Sequence, residues 1–595
     1  MPRYLVTSAL PYANGPIHFG HVAGAYLPAD VYVRYLKMAK GPENVLYVCG
    51  TDEHGVAITL KAEQEGVGYR AYVDRWHSEI RSLFDRFGIE FDTFSGTSRC
   101  AFHADASRKF FSVLLERGFV FAKTEKQWFS EQSARFLPDR YLQGGCPQCG
   151  FAKARGDECP DCGSWIDARE LQNPVSLIDG SSPVLKATKH WFLDLPKLQQ
   201  AGLDSWYRGN DENHPVHPWK PNVQGHVQAM LRDLHARPIT RDLPWGVKLP
   251  EGLEGAEGKV LYVWFDAPIG YISATMEWAA AQGTPDAWMD WWQKEDTRLV
   301  HFIGKDNIAF HVVVFPSMLL GQEDAWQGKP FVMPWAVPAN EFYNLQGRKF
   351  NTSSGWYLDN DSFFAQYNPD AARFHVLMSA PETADSEFSW PEFQVTNNNL
   401  LADKVGNLAS RVLKFLDKRF GSCVPEVAKE PTAAILAVRG HQALQDADAA
   451  FAAIAGFLEN FEFRKATQHL IAGCTALNQF FDAMEPWIKI KGSQAGDWEC
   501  CVETLERCVA YLELLSRRIA PFCPTTAGKL RNMLGAVAET HVASAWGEEN
   551  VAQAPATLPA GLRIGNVEML FLKIEDEQIS AEIAKLEASA SAAAE

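Results

Sequence analysis

The chain has no long apolar run and no excess of positive charge, and these absences exclude whole classes of protein. No stretch reaches the roughly 18 apolar residues that a transmembrane helix needs, and Met1-Pro2-Arg3-Tyr4 gives no basic region before the first apolar segment. Neither a membrane span nor a signal peptide is therefore predicted. The formal charge of −17 argues against a protein that coats nucleic acid, because each phosphate contact needs a cation. Any contact with nucleic acid must be local.

Cysteine is too scarce for a disulfide scaffold. The 595 residues include 12 cysteines, and several of them, such as Cys49, Cys474 and Cys508, stand in apolar or helical surroundings. That usage is typical of a reducing compartment, so we expect a cytoplasmic protein. The length predicts about four domains, and a hydrophobic share of 47% is sufficient for large cores.

Strand and helix patterns alternate in the first part of the chain. Helices are predicted near residues 22–38 and across 57–87, and strands at residues 4–10, 44–48, 260–265, 299–303 and 331–337. This alternation predicts an α/β fold with a doubly wound, Rossmann-like parallel sheet, formed by residues 1–117 and 236–325. Such sheets bind ligands beyond the carboxyl ends of their strands, where residues 49–55, 266–268 and 304–306 fall.

Two other regions differ in character from this sheet domain. Residues 118–235 are rich in turns, tryptophans and clustered cysteines, which indicates an inserted domain. After about residue 395 the apolar periodicity becomes helical and strand signals are few, so residues 395–550 are predicted to form an all-α bundle. A linking domain at 326–394 and a tail at 551–595 complete the predicted organisation.

The first strand runs directly into a motif with two histidines, His18-Phe19-Gly20-His21. A strand, a tight turn and a helix start in this order favour phosphate binding, because backbone N–H groups point at an anion there and each imidazole can donate to a phosphate oxygen. The alternative is that both histidines make only structural hydrogen bonds in a loop.

Four cysteines form two Cys-x-x-Cys pairs in the inserted domain. Cys146 and Cys149 are followed by Gly150, and nine residues separate them from Cys159 and Cys162, which are followed by Gly163. Four thiolates at this spacing predict one tetrahedral, structural Zn²⁺. A rubredoxin-like iron and four buried thiols without a metal are the alternatives.

Three segments together resemble a known family. Residues 9–14 leading to His18–His21, the block Val263-Trp264-Phe265-Asp266-Ala267-Pro268-Ile269-Gly270-Tyr271, and His301-Phe302-Ile303-Gly304-Lys305-Asp306 are similar to the bacterial methionyl-tRNA synthetases, which are class I aminoacyl-tRNA synthetases. The resemblance spans roughly residues 3–550 and includes the four cysteines. It implies that methionine and ATP with Mg²⁺ form methionyl-adenylate, and that tRNA then receives the methionyl group.

The resemblance also implies residue roles in the first reaction. His18, His21 and Lys349 are expected to bind phosphates, Gly304 and Asp306 to bind the adenosine part of ATP, and Arg241 to assist near the methionine carboxylate. Because a thioether is a weak acceptor on a flexible apolar chain, its recognition needs a close-fitting slot and one or two donors. The residues implied for methionine are Leu10, Tyr12, Asp52, Trp264, Ala267, Pro268, Tyr271, Phe310 and His311.

A third set of residues is implied in reading the CAU anticodon of tRNA. Asn407 and Arg411 are four residues apart, hence on one helix face, and Trp487 lies in a later segment. Unpaired bases are recognised by aromatic stacking and by hydrogen bonds to their edges, which suits these residue types. The alternative is a solvated helix beside a core tryptophan.

The chain departs from the family pattern at two places. The second signature, usually Lys-Met-Ser-Lys-Ser, is here Lys349-Phe350-Asn351-Thr352-Ser353, and Asp403 stands where asparagine is common.

The altered signature motivates a second hypothesis for the function, a relative that binds tRNA or methionine without charging the tRNA. A third is a class I ligase for leucine or isoleucine, although residues 118–235 are short for an editing domain. The absence of an appended oligonucleotide-binding fold predicts a monomer.

Overall fold

The computed structural model describes residues 2–156, 159–162, 164, 166–208, 219–351, 354–428, 432–535 and 558–592. Gly163, Thr352 and Ser353, which belong to the sequence motifs, lie outside the described residues. The chain divides into two compact units. The first consists of Met1–Ile17, Leu46–Ser82 and Phe91–Ala339, and the second of His18–Val45, Leu83–Glu90 and Asn340–Glu595. No helix among the described residues combines the length and the apolar character needed to cross a membrane.

The first unit is built on a parallel sheet, which confirms the predicted fold class. Its main strands, in spatial order, are Pro334–Ala336, Thr297–Gly304, Arg3–Ser8, Val45–Thr51 and Thr93–Gly96. Their apolar residues are almost completely buried, as expected of strands covered on both faces. The strands Val45–Thr51 and Thr93–Gly96 lie on one side of Arg3–Ser8, and Thr297–Gly304, which comes much later in the sequence, lies on the other side. The switch point therefore lies between these two strands.

The prediction of a strand over residues 260–265 is wrong for its second half. The strand Lys259–Leu261 pairs in antiparallel fashion with Thr240–Asp242 outside the parallel sheet, and a short helix, Val263–Asp266, follows it. A short apolar run has no periodicity that separates a strand from a buried helical turn. Likewise, the apolar run at 331–337 forms a strand only over Pro334–Ala336.

The inserted region is mostly antiparallel β structure. Val120–Ser130 and Val184–Leu193 pair along most of their length, and Arg135–Phe136 and Arg237–Pro238 extend that sheet. A second, three-stranded sheet carries the cysteine pairs and consists of Leu142–Gly145, Ala154–Arg155 and Gln172–Ser176.

Helices make up most of the remaining described structure. The α-helices described before residue 325 are Phe19–His21, Leu27–Lys40, Val56–Glu65, Tyr69–Arg86, His103–Glu116, Leu195–Leu198, Asp204–Arg208, Pro221–Leu231, Val263–Asp266, Ile269–Ala281, Met289–Trp292 and Phe315–Leu320. After a small parallel pair, Tyr343–Leu345 with Ser386–Phe388, the helices are Asn360–Gln366, Pro369–Met378, Trp390–Val395, Asn407–Phe420, Ala433–Arg439, Gln442–Glu459, Phe463–Met484, Pro486–Lys489, Asp497–Arg518, Pro524–Leu534 and Asp576–Ala592. The predicted helical part is confirmed.

A buried ion pair connects separate segments of the second unit. Arg373 and Asp30 are both inaccessible to solvent, and the Arg373 guanidinium donates to Asp30 Oδ2 at 2.7 Å. The same guanidinium also donates to the backbone carbonyls of Phe87, Pro521 and Phe522. A buried charge is tolerable only when it is neutralised and fully hydrogen-bonded, and this arrangement meets both requirements.

Candidate active site

Several predicted site residues lie at the switch point of the parallel sheet. Leu10 and Tyr12 follow the strand Arg3–Ser8, and Asp52 follows Val45–Thr51. Tyr12 and Asp52 form a parallel bridge, since the Asp52 N–H donates to the Pro11 carbonyl at 2.9 Å. Because parallel strands end at one edge of the sheet, the fold brings these residues together as predicted.

The Asp52 carboxylate has an oxygen without a partner. Its Oδ1 is buried and accepts no hydrogen bond within the described structure. Burial and the negative charge of neighbouring Asp266 raise the pKa of Asp52 well above its usual value. A carboxylate in this state gains from a cationic ligand, which would supply both the missing hydrogen bond and the missing charge.

Asp266 is held by two histidines. Its Oδ2 lies 2.6 Å from His54 Nδ1 and 3.2 Å from His103 Nε2, and all three residues are buried. Burial alone would raise the pKa of Asp266, but the two imidazoles outweigh it and lower the pKa. These three side chains resemble a metal-ligand set, but two ligand atoms of one tetrahedral zinc stand about 3.3 Å apart. The 2.6 Å separation is that of a hydrogen bond.

Aromatic rings are in contact among the other residues predicted to bind methionine. The Trp264 and Phe310 rings pack edge to face with their centroids 4.3 Å apart, and Trp264 is 40% exposed. Tyr262 neighbours Trp264, and the Arg241 guanidinium carbon lies 3.8 Å from the centre of the Tyr262 ring. The structure thus connects Arg241 to the predicted slot through Tyr262, a residue that the sequence motifs did not single out.

The other side of the slot begins at Pro268, the residue before the helix Ile269–Ala281. Ala267 precedes it and completes the short turn after Asp266. Leu10 packs against the start of this helix so closely that a Cβ at Gly270 would lie 2.8 Å from its Cδ1 atom. Tyr271, the next residue, is buried, and its hydroxyl lies 2.8 Å from His311 Nε2. Leu10 therefore lies against the start of this helix, and Tyr271 in the same helix is joined to His311.

Glu53 anchors the loop that carries Asp52. Its carboxylate is inaccessible to solvent and accepts hydrogen bonds from Thr51, Ser98 and the Arg99 guanidinium. The indole of Trp245 also donates to the Glu53 backbone carbonyl at 2.7 Å. The sequence places Glu53 beside Asp52, but its burial and its partners, which come from distant segments, could not be read from the motif.

Gly304 and Asp306 end the strand Thr297–Gly304 and begin the turn after it. Asp306 is exposed, and its Oδ1 approaches Gly304 so closely that a Cβ there would lie 2.7 Å away. A side chain at 304 would therefore require the exposed Asp306 carboxylate to move.

In the second unit, His18 and His21 cap the start of a continuous helical segment. The Gly20 N–H donates to His18 Nδ1 at 3.1 Å, and the His18 N–H donates to His21 Nδ1 at 3.2 Å. Burial, reinforced by His21, lowers the pKa of His18 to about 2, so its ring is neutral. Since Nδ1 accepts in both rings, the neutral form carries its proton on Nε2 and can donate outward.

The second signature lies beside this pair of histidines. Phe350 stacks on the His18 ring with centroids 4.5 Å apart, and Lys349 lies over the Phe342 ring. Asn351 forms a two-way backbone pair with Trp356, and its side-chain oxygen accepts from the Ser354 N–H. The unusual asparagine therefore has a structural role as a turn residue.

The sulfur atoms of the four predicted metal ligands lie close together. The Cys146 and Cys162 sulfurs are 3.9 Å apart, those of Cys149 and Cys159 are 3.7 Å apart, and all four sulfurs lie within 4.8 Å of one another. Tetrahedral thiolates around a zinc ion are separated by about 3.8 Å, so the geometry fits a metal ion. Gly150 has a φ of 77°, the left-handed conformation that the tight knuckle requires.

The helical region brings two of the three predicted RNA-contact residues together. The Arg411 guanidinium lies 5.8 Å from the centre of the Trp487 ring and pairs with Asp482. Trp487 is 39% exposed at the start of the helix Pro486–Lys489, so it is available to a ligand. Asn407 begins the helix that carries Arg411. Asp403 pairs with Lys573 at 2.9 Å.

Three π-helical turns adjoin predicted site residues. Val22–Tyr26 follows His21, Phe310–Val314 carries Phe310 and His311, and Thr396–Gly406 leads into Asn407. A π turn changes the direction in which side chains leave a helix, and such turns are frequent at functional sites. No local sequence signal identifies such turns, and the sequence analysis did not predict them.

Two family models match the chain. The model described as "tRNA synthetases class I (M)" matches residues 4–413, and the model of the "Anticodon binding domain of methionyl tRNA ligase" matches residues 431–590.

Relatives match along almost the whole chain. The methionine–tRNA ligase of Protochlamydia amoebophila is 41% identical over 98% of the chain and 79% of its own length. The methionine–tRNA ligase of Salinibacter ruber is 43% identical over 98% of the chain and 81% of its own length. The structure of Mycobacterium tuberculosis methionyl-tRNA synthetase in complex with methionyl-adenylate superposes with a TM-score of 0.73 at 22% identity, covering 96% of this chain and all of that one. The last comparison shows a common fold.

The Glu53 network predicts a pH-dependent loss of stability. We expect Glu53→Gln to lower the free energy of unfolding by about 2 kcal/mol at pH 7, because the buried Arg99 contact loses its charge. Burial opposes ionisation of Glu53, but the hydrogen bonds from Ser98, Thr51 and Arg99 prevail and lower its pKa. Its contribution is therefore complete above the unfolded pKa of about 4.3 and is lost as the pH falls through the folded value.

Urea unfolding of both proteins from pH 7 to pH 4 checks this expectation. The difference between them should be constant at the upper end and should shrink at the lower end. Glu65→Gln, at a half-exposed ion pair with Arg75, is the control and should change stability by less than about 0.5 kcal/mol. A difference for Glu53→Gln no larger than the control would contradict the role of the network.

Proposed function

The chain belongs to the methionyl-tRNA synthetase family of class I aminoacyl-tRNA synthetases, and from that premise we propose which residues bind and orient each reactant. Its function is the ATP-dependent ligation of L-methionine to its tRNA through methionyl-adenylate. In the first step the methionine carboxylate attacks the α-phosphate and pyrophosphate leaves. In the second a ribose hydroxyl of the terminal tRNA adenosine attacks the activated carbonyl and AMP leaves.

Asp52 binds the α-ammonium group of methionine. The observation that carries this assignment is the buried, unpartnered Oδ1 atom at the edge of the aromatic slot. An ammonium supplies the positive charge and the donor that this atom lacks. Arg241, stacked on Tyr262, orients the carboxylate for attack.

The thioether side chain occupies the slot beyond Asp52. Its walls are Leu10, Tyr12, Trp264, Ala267, Pro268, Tyr271, Phe310 and His311. The contact between Trp264 and Phe310, and the hydrogen bond between Tyr271 and His311, support this proposal. Apolar surface around a flexible chain provides affinity, and the polar groups at the end provide selectivity.

ATP is bound by residues of both signatures. His18 and His21 donate from Nε2 to phosphate oxygens, a role supported by the hydrogen bonds that occupy both Nδ1 atoms. Lys349 neutralises the leaving pyrophosphate, and Gly304 and Asp306 bind the adenosine ribose. Mg²⁺ bound with ATP supplies additional positive charge to the phosphates during the transfer.

We propose that each domain of the chain has a separate task. Residues 1–117 and 236–325 activate methionine, residues 326–394 carry the second signature, and residues 395–550 bind the anticodon. We also propose a cytoplasmic enzyme, since none of the 12 cysteines forms a disulfide. The monomeric state stays a prediction.

Amino-acid-dependent exchange of pyrophosphate into ATP tests the function. We expect rapid exchange with methionine and at least about 100-fold lower kcat/KM with leucine or isoleucine, because neither has a thioether or an unbranched side chain. No exchange with any of the three would favour the relative that only binds its ligands. Preferred exchange with leucine or isoleucine would favour the other class I ligases.

The exposed Trp487 predicts a separation of the two half-reactions. We expect Trp487→Ala to raise the KM for tRNA by about tenfold or more, because one stacking contact to an anticodon base is lost, and to leave pyrophosphate exchange unchanged. Trp498→Ala is the control, since Trp498 is 52% exposed in the same helical region and carries no assigned role. Equal losses in tRNA charging and in exchange would contradict the assignment of Trp487.

The cysteine cluster predicts one zinc ion per chain, with a structural role. The sulfur separations and the four protein ligands support a closed tetrahedral site. We expect elemental analysis to find one zinc in the purified protein, and Cys159→Ser to lower that content and to make the inserted region more sensitive to protease. Cys423→Ser, outside the cluster, should alter neither property. Iron in place of zinc, or no metal, would contradict the proposal.

A further inference from the structure

Arg241 stands in a short strand whose flanking side chains belong to a buried polar network. In the strand Thr240–Asp242 successive side chains point to opposite faces, so Thr240 and Asp242 share the face opposite to Arg241. The Arg241 guanidinium lies over the Tyr262 ring and donates to the Thr240 backbone carbonyl at 2.9 Å. The direction of Arg241 therefore depends on how the strand is held at positions 240 and 242.

His190 contacts both residues that flank Arg241. It lies in the strand Val184–Leu193 of the inserted region and is inaccessible to solvent. Its Nδ1 lies 2.9 Å from Thr240 Oγ1, and its Nε2 lies 3.1 Å from Asp242 Oδ2. Burial lowers the pKa of His190, so its ring carries no charge at pH 7. One neutral imidazole thus bridges positions 240 and 242 on the face away from Arg241.

Lys259 supplies the positive charge that balances Asp242. It stands opposite Asp242 in the register of the strand Lys259–Leu261, and its ammonium group donates to Asp242 Oδ1. The same ammonium donates to the Thr188 hydroxyl at 2.7 Å, and that hydroxyl donates to Asp242 Oδ2 at 3.1 Å. Burial raises the pKa of Asp242, but the contacts from His190 and Lys259 outweigh it and lower the pKa, so the carboxylate is charged at neutral pH.

A buried network of charged and polar groups is a costly way to hold strands together. Apolar side chains of similar volume often stabilise a fold equally well, because charged groups lose their hydration when they are buried. Hydrogen bonds, in contrast to apolar contacts, fix the direction of the groups that they join. The network therefore suits a place where the orientation of the chain matters more than its stability.

We propose that His190 and Lys259 are positioning residues, which act through Thr240 and Asp242 to direct the Arg241 guanidinium at the carboxylate of bound methionine. The inference rests on the proposed role of Arg241. A guanidinium and a carboxylate form their strongest contact only in one planar arrangement, and a displacement of about 1 Å is enough to reduce a reaction rate greatly. The inserted region thereby contributes to the orientation of methionine without touching it.

Two ligands isolate the orientation of Arg241 from other effects. Methioninol keeps the ammonium and thioether groups of methionine but has a hydroxymethyl group in place of the carboxylate. We expect Lys259→Met to raise the Kd for methionine about tenfold, measured by titration calorimetry, and to change the Kd for methioninol less than about twofold. The kcat of pyrophosphate exchange should also fall. Lys259→Arg retains the positive charge and should keep most of the preference for methionine.

Thr240→Val tests the same network without removing a charge. It deletes the hydroxyl that contacts His190, and we expect it to lower the preference for methionine over methioninol about threefold. Lys294→Met is the matched control, because Lys294 pairs with Asp290 at 2.8 Å in a half-exposed position and should leave the preference unchanged. Unimpaired methioninol binding shows that a variant is folded. Equal rises of both Kd values, or an equal change in the control, would overturn the proposal.

Arg241→Gln distinguishes failure of this inference from failure of the proposed function. If Arg241 contacts the carboxylate, Arg241→Gln lowers the preference for methionine by itself, and adding Lys259→Met lowers it no further, because the two residues act through one contact. An unchanged preference in Arg241→Gln would contradict the proposed role of Arg241. A lowered preference in Arg241→Gln with an unchanged one in Lys259→Met would overturn this inference alone.

Discussion

The pairing of two parallel strands, Arg3–Ser8 and Thr297–Gly304, is the constraint on which the amino-acid site depends. Their register sets Thr7 opposite His301, and their common direction brings both carboxyl ends to one edge of the sheet. Leu10 and Tyr12 follow the first strand, and the turn with Asp306 follows the second. The sheet is built outward on both sides of this pair, and parallel sheets bind their ligands at such a position. A ligand can enter there.

Electrostatic balance around Asp52 is the second organising feature. Three carboxyl groups, those of Asp52, Glu53 and Asp266, are gathered within a buried region of an acidic protein. Glu53 is neutralised by Arg99, and Asp266 is held by two imidazoles. Asp52 and Asp266 each keep an Oδ1 atom without a partner among the described residues, but only Asp266 has imidazoles against its other oxygen. The protein thus stabilises the charges of Glu53 and Asp266 with its own side chains. The charge of Asp52 is balanced only when a cationic group binds, which is a step separate from folding.

Much of the site could be predicted because its residues stand in short, ordered motifs. The spacing of the four cysteines by itself predicts a shared metal site, and the structure brings all four sulfurs together. The apolar run at 260–265 was harder, since its length suits a strand and a helical turn equally well, and the structure contains part of each. Glu53 was overlooked for another reason: most of its partners, such as Ser98 and Arg99, stand far away in the chain.

The sequence by itself determined the class of fold, the family and the identity of most candidate residues, because strand alternation, ligand spacing and signature order are local properties of the chain. Only the tertiary structure decided which polar atoms lack a partner among the described residues and which buried side chains pair with one another. Those properties depend on hydrogen bonds between segments hundreds of residues apart, as between Thr7 and His301 or between His54 and Asp266. Burial then makes each of these bonds obligatory, since water cannot replace a missing partner.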